Sequence, residues 1–198
     1  MLVLSSIRDL RLAEFLKQGY VGVIPTDTVY GLAASAGSEE AVARLYELKQ
    51  RERKPGTLVA ADVGQLITLG LDPQLLQKAE RLWPNPLSVI VPTSQKLHHL
   101  DQGLGSLAVR IPAQDEIREF LEKTGPLLTS SANHPGKPPA TSISEAQAYF
   151  GEHVDFYVDG GDLSGCLSST IVRFVGDRLE VVREGAAVID ETGRVILK

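Results

Sequence analysis

The sequence LAVRIPAQDEIREFLEKTGPLLT, residues 107–129, contains the pattern from which the fold class is predicted. Two apolar runs within it, 107–111 and 127–129, have the length and composition of buried β-strands. The residues between them, from about Gln114 to Lys123, predict a helix. A strand, a helix and a second strand in succession are typical of a layered α/β domain.

The same alternation of helix and strand runs along the rest of the chain. Helix caps are predicted at Ser6, Ser38, Asp72 and Ser142. Further strands are predicted at residues 20–24, 57–61, 87–91, 170–175 and 179–182. The last two flank a Gly176-Asp177 turn, which is typical of a hairpin. An antiparallel hairpin in a chain that otherwise alternates strand with helix predicts a mixed sheet rather than a wholly parallel one.

The composition is that of a folded domain. With 198 residues, 43% of them hydrophobic and 23% charged, the chain can bury a substantial core, and intrinsic disorder is excluded. The net charge of −5 means that any polyanion must meet a local basic patch. The single cysteine, Cys166, excludes a disulfide framework and a cysteine zinc cluster. Because the sequence has no signal-peptide layout and no apolar run of about 18 residues, we expect a cytoplasmic protein that spans no membrane.

Several common catalytic motifs are absent from the sequence. Gly136-Lys137 lacks the upstream glycine of a P-loop, and Gly103-x-Gly105 lacks the third glycine of a dinucleotide fingerprint. The four histidines have no metalloprotease spacing, and Ser130 and Ser131 lie in no nucleophile elbow. Hydrolase and metalloenzyme interpretations therefore lack support, and we expect no protein-bound transition metal.

Four cations crowd the end of the second predicted helix. They are Lys49, Arg51, Arg53 and Lys54. Cations at a helix C-terminus are common solvated residues, because they complement the helix dipole. Alternatively the cluster binds phosphate, since it precedes Pro55-Gly56 and a strand in an otherwise acidic chain.

A second candidate is the stretch TSSAN, residues 129–133, where a predicted strand enters a loop rich in proline and glycine. Hydroxyl, amide and backbone N–H groups at the carboxyl end of a strand are well placed to hold a ligand in an α/β fold. An ordinary turn built from serine and asparagine explains the same letters equally well.

A third candidate is PTDTVYG, residues 25–31, which also follows a predicted strand. Asp27 could cap a turn or bind a metal, and Thr26 and Tyr30 could hydrogen-bond a small polar substrate. Taken alone, a turn held by the aspartate and threonine side chains is the better interpretation.

Arg110 is a cation inside an otherwise apolar predicted strand. Burying it is costly unless it is paired, so it indicates either a buried carboxylate partner or a bound anion. Ser169 and Arg183, near the last strands, repeat this pattern more weakly. We expect His134 and His153 on solvated loops.

Taken in order, eight short motifs make the sequence resemble the threonylcarbamoyl-AMP synthase family and its YrdC-like domain. The motifs are PTDTVYGL (25–32), LYELKQR (45–51), WPNPLSVIV (83–91), LAVRIP (107–112), SSAN (130–133), DGG (159–161), SSTIV (168–172) and REGA (183–186). Each motif is short, but their order is highly specific. The resemblance extends from about residue 7 to residue 189.

The resemblance implies a fold and a reaction. The implied fold is a single YrdC-like α/β domain over residues 1–198, with its core at about 7–189 and without the additional C-terminal domain of longer members. In it, a twisted mixed β-sheet with flanking helices surrounds a deep, positively lined cleft. The implied reaction converts L-threonine, bicarbonate (or CO2) and ATP, with Mg²⁺, into L-threonylcarbamoyl-AMP, pyrophosphate and water. A separate transferase complex then modifies adenosine beside the anticodon of tRNA, and direct tRNA binding is a further expectation.

The family's motifs also imply site residues. Its K-x-R and S-x-N motifs imply catalytic roles for Lys49, Arg51, Ser131 and Asn133. ATP is expected at these four residues and at Ser106, Pro139 and Arg183. Threonine is expected at Thr26, Arg110, Thr129 and Ser169, together with Tyr30, and no residue is expected to bind a metal.

The sequence departs from the family's pattern at three positions. Glu52 replaces the usual proline after K-x-R, and Asn85 replaces a glycine. Ala60 stands where longer members have a threonine-binding histidine. These departures concern the threonine contacts and the closure of the site.

Two other interpretations use the same residues. In the first, the protein is a non-catalytic RNA-binding module that uses the cationic cluster at 49–54. In the second, it is a paralogue that makes a different carbamoyl-adenylate. Glu52 and Ala60, which depart from the family's pattern, favour this interpretation.

Overall fold

The computed structural model describes residues 2–50 and 53–198. Within them the helices are α1 (Leu10–Lys17), α2 (Glu39–Lys49), α3 (Val63–Leu69), α4 (Pro73–Glu80), α5 (His98–Asp101), α6 (Asp115–Thr124) and α7 (Ile143–Phe150). The strands are β1 (Leu2–Leu4), β2 (Gly22–Ile24), β3 (Gly31–Ser35), β4 (Thr57–Val59), β5 (Leu87–Pro92), β6 (Ser106–Arg110), β7 (Leu127–Ser131), β8 (Phe156–Val158), β9 (Thr170–Val175), β10 (Arg178–Arg183), β11 (Ala187–Ile189) and β12 (Val195–Leu197).

Ten strands form one mixed sheet in the order β1-β8-β2-β3-β7-β4-β6-β5-β9-β10. The pairs β1-β8, β2-β8, β4-β6 and β5-β9 are parallel, and the remaining pairs are antiparallel. The predicted mixed α/β sheet is therefore confirmed, as is the hairpin of β9 and β10. Strands β11 and β12 pair separately and were not predicted, nor were β1, β3, β8, α3 and α5.

Three of the four predicted helix caps are confirmed by a side-chain oxygen that accepts a backbone N–H bond in the first turn. They are Ser38, Asp72 and Ser142. The prediction for Ser6 is wrong. Helix α1 begins after Asp9, whose carboxylate accepts from the N–H of Arg11, and the hydroxyl of Ser6 accepts from Arg8 before the helix begins. The early polar residues offer two possible caps, and the aspartate fits the first turn.

The helices cover the two faces of the sheet unequally. On one face, α2 to α5 and α7 pack on alternate strand residues such as Leu32, Leu58 and Leu128. On the other face, α1 and α6 pack on the residues next to these along the strands, such as Ala33 and Leu127. The strand residues under α1 and α6 come from β1, β8, β2, β3, β7 and β4. This layer therefore leaves the surface over β6, β5 and β9 open.

The side chains on this second face change where the helices end. Along β7, Leu127 is packed in the core under α6, whereas Thr129 and Ser131 follow on the same face and line an opening. Along β4, Val59 belongs to the core and Thr57, which pairs with Thr129, lines the opening. Apolar strand residues thus give way to small polar ones at the border of the helical layer, which places a cleft there.

Candidate active site

The cleft has an empty volume of about 620 Å³, which includes space open to solvent. Its floor is a row of paired strand residues, in which Thr57 lies between Thr129 and Ala108. Six of the predicted site residues line it together. They are Thr26, Arg110, Thr129, Ser131, Ser169 and Arg183. Segments far apart in sequence therefore meet at one site.

Of the two arginines among the described residues of the cleft, Arg110 is the more buried, with 4% of its surface exposed. Its Nη2 lies 3.2 Å from Oδ1 of Asp27, a carboxylate that is itself 1% exposed. The only other described acceptor near it is the hydroxyl of Thr28, 3.4 Å from Nη1, and Nε is buried without a hydrogen-bond partner. Of the two alternatives for this arginine, the buried carboxylate partner is confirmed, and the guanidinium keeps unused donors.

The loop after β2 is a turn held by its own side chains. The hydroxyl of Thr26 donates to the carbonyl of Val29 (2.6 Å) and accepts from the N–H groups of Thr28 and Val29. Asp27 accepts from the N–H of Ala113 (3.0 Å) through Oδ2 and faces Arg110 through Oδ1. The turn interpretation is confirmed for Thr26, whereas the carboxylate of Asp27 contacts Ala113 and Arg110 outside the turn, and nothing in its surroundings supports the metal alternative. Across residues 2–50 and 53–198, no three His, Cys, Asp or Glu side chains could together hold a metal ion.

Tyr30 does not lie where it was expected, at the threonine site. Its side chain is fully buried, its phenol donates to the carbonyl of Gly161 (2.9 Å) and it accepts from the N–H of Gly160 (2.8 Å). Burial raises the pKa of Tyr30, so the phenol stays a donor. The expected substrate contact is corrected, because this hydroxyl anchors the loop that carries the DGG motif.

Lys49 was expected at the phosphates, and the structure places it elsewhere. The side chain is fully buried on the packed side of α2, and it does not line the cleft. Its ammonium donates to the carbonyls of Ser131 (2.6 Å) and Asn133 (2.5 Å) and to Oδ1 of Asn133 (2.9 Å). Lys49 therefore holds the end of β7 and the following turn in place.

Asn133 completes the same network from the other side. Its Oδ1 also accepts from the hydroxyl of Ser131 (2.6 Å), and its Nδ2 donates to the carbonyls of His134 (3.0 Å) and Lys137 (2.6 Å). It is 7% exposed and is not a lining residue of the cleft. Asn133 therefore shapes the loop behind Ser131, and its direct contact with ATP stays a prediction.

The two histidines behave differently. His153 is exposed, as predicted. His134 is half-buried, and its ring packs edge-on against Tyr149 and Phe150 at 5.4 Å, so the prediction of a solvated loop position is wrong for it.

Arg183 and Ser169 close the far side of the cleft. The Nη2 of Arg183 donates to the carbonyl (2.6 Å) and the hydroxyl (3.2 Å) of Ser169, and that hydroxyl also accepts from Ser88. Gly185 is required here, because a Cβ on it would lie 2.2 Å from the carbonyl oxygen of Ser168. This close approach brings the REGA motif, at the end of β10, against the start of the SSTIV motif, just before β9.

The remaining predicted residues fall outside the described cleft. Ser106, at the start of β6, and Pro139, in the loop before α7, are not among its lining residues. Ala60 is buried in the core on the opposite face of the sheet. Arg51 and Glu52 lie outside the described residues.

Sequence reasoning passed over Thr28 and Thr57, which line the cleft, and gave no separate role to Ser130. Ser130 borders the cleft, but strand alternation places its hydroxyl on the opposite face of the sheet, where it is buried without a hydrogen-bond partner. The signal in the sequence that could have indicated Thr57 as a site residue is its position as a polar strand residue next to Gly56.

Comparison with known proteins assigns this architecture. A family model named Sua5/YciO/YrdC, described as telomere recombination, matches residues 14–185. A threonylcarbamoyl-AMP synthase of Pyrococcus abyssi is 32% identical over 189 residues, which are 93% of this chain and 56% of that protein. A threonylcarbamoyl-AMP synthase of Pseudomonas aeruginosa is 33% identical over 175 residues, which are 86% of this chain and 94% of that protein.

A solved structure matches over the same region. P. abyssi Sua5 in complex with L-threonine has a TM-score of 0.83 and 30% identity, over 96% of this chain and 59% of that one. The chain thus spans little more than half the length of the Pyrococcus protein. In the parts of the chain that the structure describes, no helix has the length and hydropathy needed to cross a bilayer.

Proposed function

Since this chain belongs to the Sua5/YciO/YrdC family, we propose that it is a nucleotidyltransferase that makes L-threonylcarbamoyl-AMP. Its substrates would be L-threonine, bicarbonate or CO2, and ATP, with pyrophosphate as the second product. The relatives named above carry this activity in their names, and one of them was solved with L-threonine. The observation that carries the proposal is the gathering of two arginines and a set of hydroxyls in one cleft.

The two arginines of the cleft suit different substrates. The incompletely paired guanidinium of Arg110 suits the carboxylate of an amino acid, because arginine binds carboxylates through charge-assisted hydrogen bonds. Arg183 and the hydroxyl of Ser131 suit the phosphates of ATP. The hydroxyl of Thr129, two residues before Ser131 on the same face of β7, lines the same cleft.

The reaction requires alignment more than it requires a protein base. The threonine amine adds to CO2 and loses a proton to give a carbamate, and a carbamate oxygen then attacks the α-phosphorus of ATP and expels pyrophosphate. Holding both substrates in one cleft makes this attack effectively unimolecular, and the arginines offset the charge that develops on the phosphates.

Mg²⁺ would enter with ATP as part of that substrate. No carboxylate is among the described residues that line the cleft. The metal would therefore be held by phosphate oxygens and water, which are hard oxygen ligands that Mg²⁺ prefers. The protein's part is to bind the resulting complex through Arg183 and nearby hydroxyls.

We propose that the product is passed to a transferase complex that modifies adenosine next to the anticodon of tRNA. An acyl-adenylate of this kind is a mixed anhydride, which water hydrolyses. A consuming enzyme must therefore bind it before it is hydrolysed. Direct tRNA binding by this chain belongs to the same proposal.

The test is the reaction itself. The purified chain, incubated with ATP, Mg²⁺, bicarbonate and each amino acid in turn, is expected to release pyrophosphate with L-threonine and to form a product with the mass of threonylcarbamoyl-AMP. Omission of bicarbonate or threonine serves as the control. Turnover with a different amino acid would assign the chain to another carbamoyl-adenylate. Salt-dependent RNA binding with no adenylate formed would contradict catalysis and support the RNA-binding module.

A further inference from the structure

Asp27 occupies an unusual position behind the cleft. Its carboxylate is 1% exposed and is not a lining residue of the cleft, so it has no surface for contact with a ligand. Its two oxygens have separate contacts: Oδ2 accepts from the N–H of Ala113 (3.0 Å), whereas Oδ1 lies 3.2 Å from Nη2 of Arg110 as an ion pair and has no hydrogen-bond partner. One oxygen thus holds the backbone just after β6, and the other holds a side chain at the end of β6.

The ion pair is not explained by stability alone. Burying two charges has a desolvation free energy that their mutual attraction often no more than offsets. Apolar replacements of buried ion pairs are therefore frequently neutral or stabilising. A paired guanidinium with all its donors satisfied would be a purely structural feature. Here Arg110 has five N–H donors, yet its described acceptors are Asp27 and the distant hydroxyl of Thr28, and its Nε is buried without a partner.

We propose that Asp27 is a positioning residue for substrate binding, which fixes the guanidinium of Arg110 so that its unused donors receive the carboxylate of the amino acid. The inference rests on the proposed function. The guanidinium would then be shared between two carboxylates, one from the protein and one from the substrate. Asp27 also restrains a long side chain before binding, so less rotamer entropy is lost when the ligand arrives.

The first experiment is Asp27→Asn, which separates the two contacts. The amide oxygen can still accept from Ala113, whereas the amide nitrogen replaces the oxygen that faces Arg110, and the charge is lost. We expect kcat/KM for threonine to fall about tenfold, while the KM for ATP stays within about twofold of its value in the unchanged protein. Calorimetry with L-threonine alone should show the same loss of affinity, independently of turnover.

The second experiment asks whether Asp27 acts through Arg110. In an Arg110→Met background, Asp27→Asn should change kcat/KM for threonine by less than about twofold, because the group it positions is gone. The double variant also removes the uncompensated charge, so it should unfold at a higher temperature than Arg110→Met alone. This comparison remains available if Asp27→Asn by itself folds poorly.

A matched control is Asp101→Asn. Asp101 is also a fully buried carboxylate, but its described partners, Thr93 and the N–H of Gly103, hold a loop. We expect this variant to lose stability without a selective effect on threonine. If the unchanged protein is active and Asp27→Asn alters the threonine and ATP requirements equally, or adds its full effect in the Arg110→Met background, the positioning role is refuted. Absence of threonine-dependent turnover in the unchanged protein would refute the proposed function itself.

Discussion

Arg110→Met is expected to lower kcat/KM for threonine about 100-fold, because it removes the cation proposed to bind the amino-acid carboxylate inside a buried wall. The KM for ATP should stay within about threefold, since the proposed phosphate ligands are other residues. Threonine-dependent pyrophosphate release, measured over a range of each substrate, gives both values.

Arg11→Met is the matched control for that substitution. Arg11 also pairs with an aspartate, the N-cap Asp9 of α1, but the arginine side chain is 59% exposed and the aspartate 25%. Exposed pairs contribute at most about 1 kcal/mol, so the control should change neither requirement. Equal losses toward threonine and ATP in Arg110→Met would contradict the assignment of Arg110 to the carboxylate.

Lys49→Met is expected to reduce both stability and activity. The substitution preserves length but removes the ammonium that binds the carbonyls of Ser131 and Asn133 and the side chain of Asn133. Leaving these buried acceptors without their cation should cost about 3 kcal/mol. For a chain of this size that corresponds to a fall in Tm of about 6–12 °C. Because Ser131 is displaced with the loop, turnover should fall about 100-fold as well.

The control for this substitution is Lys17→Met. Lys17 is exposed in the last turn of α1, and its loss should leave Tm and turnover nearly unchanged. A Lys49→Met protein that lost turnover but kept its Tm would contradict the positioning of the loop. That result would return Lys49 to the phosphates, where the sequence motif had placed it.

The position of Lys49 was encoded in the helix that carries it. On α2, Val42, Leu45 and Lys49 fall at the spacing of one helical stripe, and all three are buried. Sequence reasoning grouped the lysine with the cations that follow it instead. A cluster of charges at the end of a helix looks solvated when it is read along the sequence. Only the position of Lys49 on the buried stripe of α2 distinguishes it from Arg53 and Lys54, which are exposed.

Local signals predicted much of the fold. The strands around residues 107–129, the caps Ser38 and Asp72 and the hairpin of β9 and β10 depend on neighbours in sequence. The strands at the edge of the sheet depend on distant residues instead. Strands β1 and β8 have three residues each and pair across about 150 positions of chain, so neither has a period that could be recognised.

The site shows the same division. Arg110, Thr129 and Ser169 were predicted to be site residues, and the structure brings them to one cleft. Their partners were not named in advance, because contacts such as Asp27 with Arg110 or Tyr30 with Gly161 depend on which loops meet at the edge of α1 and α6. A sequence motif identifies polar residues, and the packing decides which of them remain available to a ligand.

The central claim is that one cleft, on the part of the sheet left open by α1 and α6, receives the amino acid and the nucleotide together. The most direct test is a crystal structure of the chain with L-threonine and a non-hydrolysable ATP analogue. We predict the threonine carboxylate on Arg110 and the phosphates beside Ser131 and Arg183. Ligand density elsewhere on the molecule, with this cleft empty, would contradict the account.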